Sequence, residues 1–456
     1  MIPAHQEARE GWRSRTTFVL ALSSSAVGLG NLWRFSYLTG ENGGAPFVVS
    51  YLLCLFLVAV PLMVAEVVIG SQGRAGPVGA IRRASDRSLR SRGWIIIGLL
   101  ACLTGLLILS YYSVVAGWAL AYSGFMQSGQ FASASAAHVG AQFDSFVTDP
   151  AQQVYWHSLF VLLTAIFVGL GVRRGLGMLV WVAVPALLAM LGVLVRFGLE
   201  NGDIAAAGDF LFSINPLDFS WHSMLVALGH AFFTLGVGVG TGISYGAYAP
   251  GRIPIGRSVI AVAVFDAMVA LLAGLAIFPV VFAGNMEPAM GPGLLFVSVP
   301  YAFGNIIQGE LFGSVFFMLV VVAALGSAVA MMEPIVASLR EAARISRLAA
   351  TLLVALTVWL AGLAVVRSLT LAAEPGRVEQ SNLFVLLDSI TADILLPLVC
   401  LLTAIFVGWR MRPELLRPEL SRESRIFFSL WRLLLRYIAP PAIVLVMLAG
   451  LSMVGG

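Results

Sequence analysis

Two long apolar stretches of this chain are broken in the middle by glycine, and they stand in matching places. The first carries Ser24-Ser25-Ala26-Val27-Gly28-Leu29-Gly30-Asn31 inside a run from about Thr16 to Thr39. The second carries Thr234-Leu235-Gly236-Val237-Gly238-Val239-Gly240 inside a run from about Ser220 to Tyr245. Unpaired N–H and C=O groups are costly in lipid, so irregular backbone at membrane depth is tolerated only where protein or a watery cavity surrounds it. Corresponding interruptions in the two halves of a polytopic chain point to a transporter's binding site, built where the breaks meet.

Composition agrees with a membrane protein. Hydrophobic residues make up 59% of the chain and charged residues 11%, against roughly a quarter charged in soluble domains. Cys54, Cys102 and Cys400 lie in apolar runs, which argues against a disulfide framework. The N-terminus is polar through Arg15, and the first apolar run continues as a full span, so no cleavable signal peptide is expected.

At about 20 apolar residues per span, the chain is predicted to be an all-α integral membrane protein with about 11 transmembrane helices. They fall near 16–39, 46–70, 94–124, 153–171, 176–196, 220–246, 257–284, 311–339, 349–371, 383–408 and 435–454. Gly291–Gln308 is punctuated by glycine and proline and is expected to be a re-entrant or surface-lying loop with short helices, with a twelfth span as the alternative.

The basic residues are all arginine, and most fall on one side if the N-terminus is cytoplasmic, whereas outer loops carry acids such as Glu41, Asp144, Glu200 and Asp209. An odd span count leaves the C-terminus outside. Five spans followed by five more, each set opening with a broken helix, make a 5+5 inverted repeat with one extra helix. The expected organisation is a cytoplasmic segment 1–15, a first repeat 16–200, a second repeat 201–409, and a cytoplasmic loop with the eleventh span over 410–456.

At several of these residues the chain resembles the neurotransmitter:sodium symporter family, with its LeuT-type fold. The resemblance runs through Ala26-Val27-Gly28-Leu29-Gly30-Asn31-Leu32-Trp33-Arg34-Phe35 and Glu41-Asn42-Gly43-Gly44, then Pro61-Leu62 with Glu66, Tyr111-Tyr112, Phe232-Phe233-Thr234-Leu235 and Ser327. It covers about residues 9–450. It implies a bacterial sodium-coupled amino-acid symporter of the inner membrane, working by alternating access as a monomer or weak homodimer, with no nucleic-acid partner.

Sodium is a hard cation that takes oxygen ligands. The resemblance implies two sodium ions. The first site would use Ala26, Asn31, Thr234 and Asp266; the second would use Ser24, Val27, Ala323 and Ser327. Gly326 departs from the family pattern, which usually has a side-chain oxygen at that position. Asp266 lies among apolar neighbours within its span, where an ionisable group commonly marks an ion pathway. Many relatives have asparagine there, and bacterial ones often place a fixed acid one turn on, here Ala270. Asp266 is therefore expected to supply the negative charge itself, with Tyr51, His230 and Thr234 as neighbours, and transport to need no chloride. A protonated structural aspartate is the alternative.

The substrate site implied by the resemblance comprises Ser25, Ala26, Leu29, Gly30, Ile108, Tyr112, Phe233, Thr234, Gly236, Val239, Ser327 and Met331. Gly28 leaves room for a substrate carboxylate, which would meet the Leu29 and Gly30 amides at a half-helix N-terminus. The apolar lining favours a neutral, hydrophobic amino acid; a small carboxylate-bearing amine such as glycine, taurine or a γ-amino acid is the alternative. Gly236 could instead serve close helix packing.

Arg34 and Asp388 are placed to gate the outer side, or to snorkel. Arg9 and Glu341 would gate the inner side. Glu66 would hold the second broken helix. Gly175 and Pro185 suggest either a water path or an ordinary kink. The five histidines are scattered, which gives an enzyme no convergent cluster, and no chemistry on the substrate is expected.

Overall fold

In a computed structural model, residues 11–214, 219–251, 253–284, 294–372 and 383–454 are described. Among them the chain is helical, with no strand. Nine helices are long and apolar enough to cross a membrane; the two glycine-broken stretches are additional, because neither is one continuous helix. The expected short helices of the re-entrant segment appear as Leu294–Ser298 and Val299–Gly304; Gly291, Pro292 and Gly293 lie outside the described residues.

The first broken stretch comprises α1 (Arg15–Ala26) and α2 (Phe35–Glu41), joined by a π-turn at Gly30–Arg34. Ser14 starts α1 by accepting the Thr17 amide at 3.1 Å, one of the donors that a helix start leaves unpaired. The helix stops at Val27, whose ψ of 108 is extended. The carbonyl of Ser24 then loses its helical donor, because the Gly28 amide donates to Asn31 Oδ1 at 3.2 Å. Leu29 N–H likewise donates to the Tyr112 hydroxyl at 3.3 Å.

Four uninterrupted spans, α3 (Ala45–Gly73), α4 (Arg92–Gln127), α5 (Pro150–Gly169) and α6 (Val172–Asn201), complete the first half with the broken pair. The second broken stretch comprises α7 (Trp221–Leu235) and α8 (Thr241–Ala247). Gly236 ends α7 in the left-handed region at φ 64, and the Val237 amide returns to the Phe232 carbonyl, a glycine C-cap. Gly238 and Gly240 also have positive φ, so this break is written by residues that lack a Cβ.

Thereafter come α9 (Ile255–Ala283), α10 (Gly309–Ala343), α11 (Arg347–Leu371), α12 (Leu383–Arg410) and α13 (Arg425–Gly450). The last helix begins at Arg425, well before the expected start at 435. Its first turns carry Arg425, Arg432 and Arg436 and are amphipathic rather than uniformly apolar, so hydropathy alone misses them. Within the bundle α10 runs along α4, α8 lies against α3, and α9 packs on α6. In the fifth span Gly175 sits in a π-turn, Val172–Leu176, and Pro185 lies inside the wound helix.

Glu66, fully within α3 and 2% exposed, pins the second break. Its two oxygens accept the amides of Gly238 at 2.7 Å and Gly242 at 3.2 Å. Glu66→Ala should leave both amides without that acceptor, at a cost of about 1.5–3 kcal/mol for each bond to a charged group. Thermal unfolding in detergent is expected to show a clearly lowered midpoint; a midpoint equal to the parent's would mean the carboxylate does not hold the break.

Candidate functional site: a cavity between two broken helices

The breaks meet around a small cavity, placed where the two interrupted helices face each other. Ser25, Ala26, Gly28 and Gly30 line it from the first break. Phe233, Thr234, Gly236, Val239 and Thr241 line it from the second. Ile108 and Tyr112 come from α4, Ser327, Ala330 and Met331 from α10, and Leu396 from α12. No charged side chain is among these residues.

Of the residues expected at the substrate site, Leu29 alone lies elsewhere. It lines a smaller space above the cavity, with Trp33, Tyr37, Tyr111 and Val115. Its amide is taken by Tyr112, so the hydroxyl stands between that N–H and the cavity. Thr241, Ala330 and Leu396 were not expected; Thr241 directly follows the glycines of the second break, a visible signal, whereas Ala330 and Leu396 sit in uniformly apolar stretches that give no sign of which face looks inward. A Cβ on Gly236 would meet nothing nearer than Val239 Cγ2 at 4.0 Å. Glycine is needed there for its positive φ and not for close helix packing. At Gly28 a Cβ would lie 2.9 Å from the Tyr112 hydroxyl and collide with Ser327 Oγ. That spot is crowded in this arrangement, so any side chain there displaces its neighbours.

Asp266 is fully buried. Its Oδ1 accepts Asn31 Nδ2 at 2.8 Å and the Thr234 hydroxyl at 2.9 Å, and its Oδ2 accepts the Tyr51 hydroxyl at 2.6 Å. Asn31 Nδ2 also reaches the Asp266 carbonyl at 3.2 Å. Every expected side chain of the first sodium site is thus in one hydrogen-bonded cluster. His230 packs on Tyr51, with ring centroids 5.2 Å apart, and its nitrogens make no hydrogen bond among the described residues. No cationic side chain pairs with the buried Asp266 carboxylate among the described residues, so when ionised it has no counter-charge from the protein. The oxygen-rich donor set around it suits a hard cation.

At the expected second site the Ser327 hydroxyl reaches back to the first break, 3.1 Å from the Ser25 carbonyl and 3.5 Å from that of Val27. Ser24 and Ala323 are buried nearby on α1 and α10, whose axes pack together. All these donors are again oxygens.

The cavity is closed on both sides. Outside, Arg34 Nη1 is 3.3 Å from Asp388 Oδ1, and the guanidinium lies 4.6 Å over the Phe233 ring. The Tyr111 hydroxyl donates to the same Asp388 oxygen at 3.1 Å. Arg34 and Asp388 are therefore paired rather than snorkelling apart.

The expected inner pair is Arg9 with Glu341. Arg9 lies outside the described residues. Glu341 accepts the Gly76 amide at 2.8 Å. On the same side the Trp12 indole donates to the Tyr245 carbonyl at 3.0 Å. Beside it, Glu333 pairs with Arg347 and accepts the Tyr248 hydroxyl at 2.6 Å. Sequence reading missed Glu333, although an acid followed by an arginine across a helix junction is a visible signal.

The model of the sodium:neurotransmitter symporter family matches residues 9–153 and 147–454. The chain belongs to that family. It is 33% identical over 440 residues to the uncharacterized sodium-dependent transporter YhdH of Bacillus subtilis, covering 96% of each chain. It is 27% identical to an uncharacterized sodium-dependent transporter of Haemophilus influenzae, covering 98% of this chain and 99% of that one. Among solved structures it superposes on MhsT in complex with L-phenylalanine with a TM-score of 0.89 and 36% identity, covering 97% of this chain and 100% of that one. The fold is thus the inverted-repeat symporter fold, and the family is one of sodium-dependent membrane transporters.

Glu333→Gln should remove the carboxylate that pairs with the Arg347 guanidinium, 12% exposed, and loosen the inner closure. In a background without native cysteines, a cysteine at Ser25 is expected to label faster from the cytoplasmic side in that variant. An unchanged labelling rate would remove the pair from the inner gate.

Proposed function

We propose that the protein is a chloride-independent, sodium-coupled symporter of neutral, hydrophobic amino acids. The observation that carries this reading is the division of the cavity wall. The polar groups of Ser25, Thr234, Ser327 and Tyr112 gather beside the breaks, the Thr241 hydroxyl is spent on the Ala330 carbonyl at 3.0 Å, and the larger side chains of the rest are Ile108, Phe233, Val239, Met331 and Leu396. One pole suits the amino and carboxylate groups that all amino acids share, and the other suits an apolar side chain. The likeness to MhsT, solved with L-phenylalanine, supports the same substrate class.

In this reading the substrate carboxylate lies against the Gly30 amide and the Tyr112 hydroxyl. Ala26, Asn31, Thr234 and Asp266 carry the first sodium ion; Ser24, Val27, Ala323 and Ser327 carry the second. The Asp266 carboxylate, held by Tyr51, Asn31 and Thr234, supplies a permanent negative charge, which removes the need for a chloride ion. Each sodium entering down the membrane potential contributes about 2.3 kcal/mol per 100 mV. Arg34 with Asp388, and Trp12 with Glu333 and Arg347, open in alternation. Arginine asymmetry supports a bacterial inner-membrane location with the N-terminus cytoplasmic and the C-terminus outside.

Binding of radiolabelled leucine, phenylalanine and tryptophan to the purified protein, in sodium chloride, sodium gluconate and choline chloride, tests this. Saturable binding that needs sodium but persists in gluconate is expected. Asp266→Asn should abolish that binding in gluconate. Binding confined to glycine or taurine, or lost without chloride, would overturn the substrate and anion assignments. Gly28→Asp should lower amino-acid affinity by at least about tenfold, because its side chain enters the space of Tyr112 and Ser327 and adds a buried charge. Undiminished binding by that variant would place the substrate carboxylate elsewhere.

A further inference from the structure

Gly326 faces Ser24 across the packed α1 and α10 helices. A Cβ on Gly326 would lie 2.6 Å from the Ser24 carbonyl oxygen and would overlap the Ser24 hydroxyl. The Ser24 oxygen therefore stands where the side chain of residue 326 would begin, next in sequence to Ser327.

The state of that hydroxyl is unusual for a helix. Buried serines in apolar helices return their proton to a carbonyl one turn back, and here Ser25 donates to Leu22 at 2.8 Å and Ser50 to Pro46 at 2.8 Å. Ser24 has the same helical setting and is 7% exposed, yet among the described residues its hydroxyl makes no hydrogen bond. Its own carbonyl has also lost its helical donor, because the Gly28 amide has turned to Asn31. Two oxygens of one residue, hydroxyl and carbonyl, thus lie together against α10, beside a Ser327 hydroxyl already directed at the first break. No cationic side chain contacts this group of oxygens among the described residues. These oxygens are left with lone pairs to offer, and a hard cation takes oxygen ligands.

We infer that the Ser24 hydroxyl is an oxygen ligand of the second sodium site and stands in for the side chain that Gly326 lacks. The inference rests on the second-site reading above and deepens it. The side-chain oxygen comes from α1, and Gly326 leaves it room, because anything larger would occupy the same space. The site then keeps two side-chain hydroxyls, Ser24 and Ser327, together with freed carbonyls.

The test is a sodium titration of the purified full-length protein, at constant ionic strength with choline chloride, read by thermal unfolding midpoint and by equilibrium binding of radioactive sodium. Neither readout needs transport. Ser24→Ala is expected to raise the half-saturating sodium concentration about tenfold, as for loss of one interaction with a charge. Ser24→Thr, which keeps the hydroxyl, should stay within about threefold of the parent. Ser327→Ala reports on the underlying reading. If Ser327→Ala shifts the titration and Ser24→Ala does not, the Ser24 assignment alone is overturned. If neither shifts it, the second-site reading falls as well. If Ser24→Ala and Ser24→Thr are equally impaired, Ser24 serves packing against Gly326 and the assignment is likewise overturned.

Discussion

The structure depends on how a few backbone groups are satisfied after two helices are broken in the middle of a membrane. A continuous helix closes its own hydrogen bonds, and a broken one cannot. In the first break side chains take over: Asn31 accepts the Gly28 amide and Tyr112 accepts that of Leu29. In the second break Glu66 accepts the Gly238 and Gly242 amides. Each replaced hydrogen bond leaves a carbonyl available, and those carbonyls, with the hydroxyls and the carboxylate around them, make an oxygen-rich centre in a protein that is otherwise apolar there. Pinning and binding are two consequences of the same chemistry.

The two breaks are satisfied differently, and that difference gives the centre its charge pattern. Glu66 spends both oxygens on amides, so its charge is spread over the second break and faces no open space. Asp266 receives an amide nitrogen and two hydroxyls, groups that are themselves oxygen donors or are carried by the residues that provide them. A cation entering there meets oxygens of Asp266, Thr234 and Asn31 in one place. Two buried carboxylates, similar in burial, thus suit a structural role and an ion-binding role because one faces backbone amides and the other faces hydroxyls.

Much of this was legible in the sequence, for reasons that can be named. Glycine runs inside apolar spans mark the breaks because Gly236, Gly238 and Gly240 adopt positive φ that other residues avoid. Acids such as Glu66 and Asp266 stand out because each is the one acid of its span. What stayed hidden is which face of a uniformly apolar helix turns inward. Ala330 and Leu396 line the cavity, yet neither differs from its lipid-facing neighbours in type. The amphipathic start of the last helix was lost for the opposite reason: its arginines lower the local hydropathy although the helix is continuous. Glu333 and Arg347 were visible as charges, but their pairing depends on the turn between α10 and α11.

The two gates carry the same lesson into function. The outer one couples an ion pair to the cavity roof, because Arg34 sits over Phe233 while it holds Asp388. Moving the guanidinium therefore disturbs a residue that lines the cavity. The inner one is more deeply buried: Glu333 is fully covered and Arg347 nearly so. Separating a covered pair leaves charges that need water, so opening on that side requires hydration of the pair. Trp12, tied to the backbone of α8 through Tyr245, lies at the foot of the first broken stretch. In the proposed transport cycle, displacing α1 would release the indole, expose the pair and disturb the carbonyls at the break together, linking inner opening to loss of the oxygen centre.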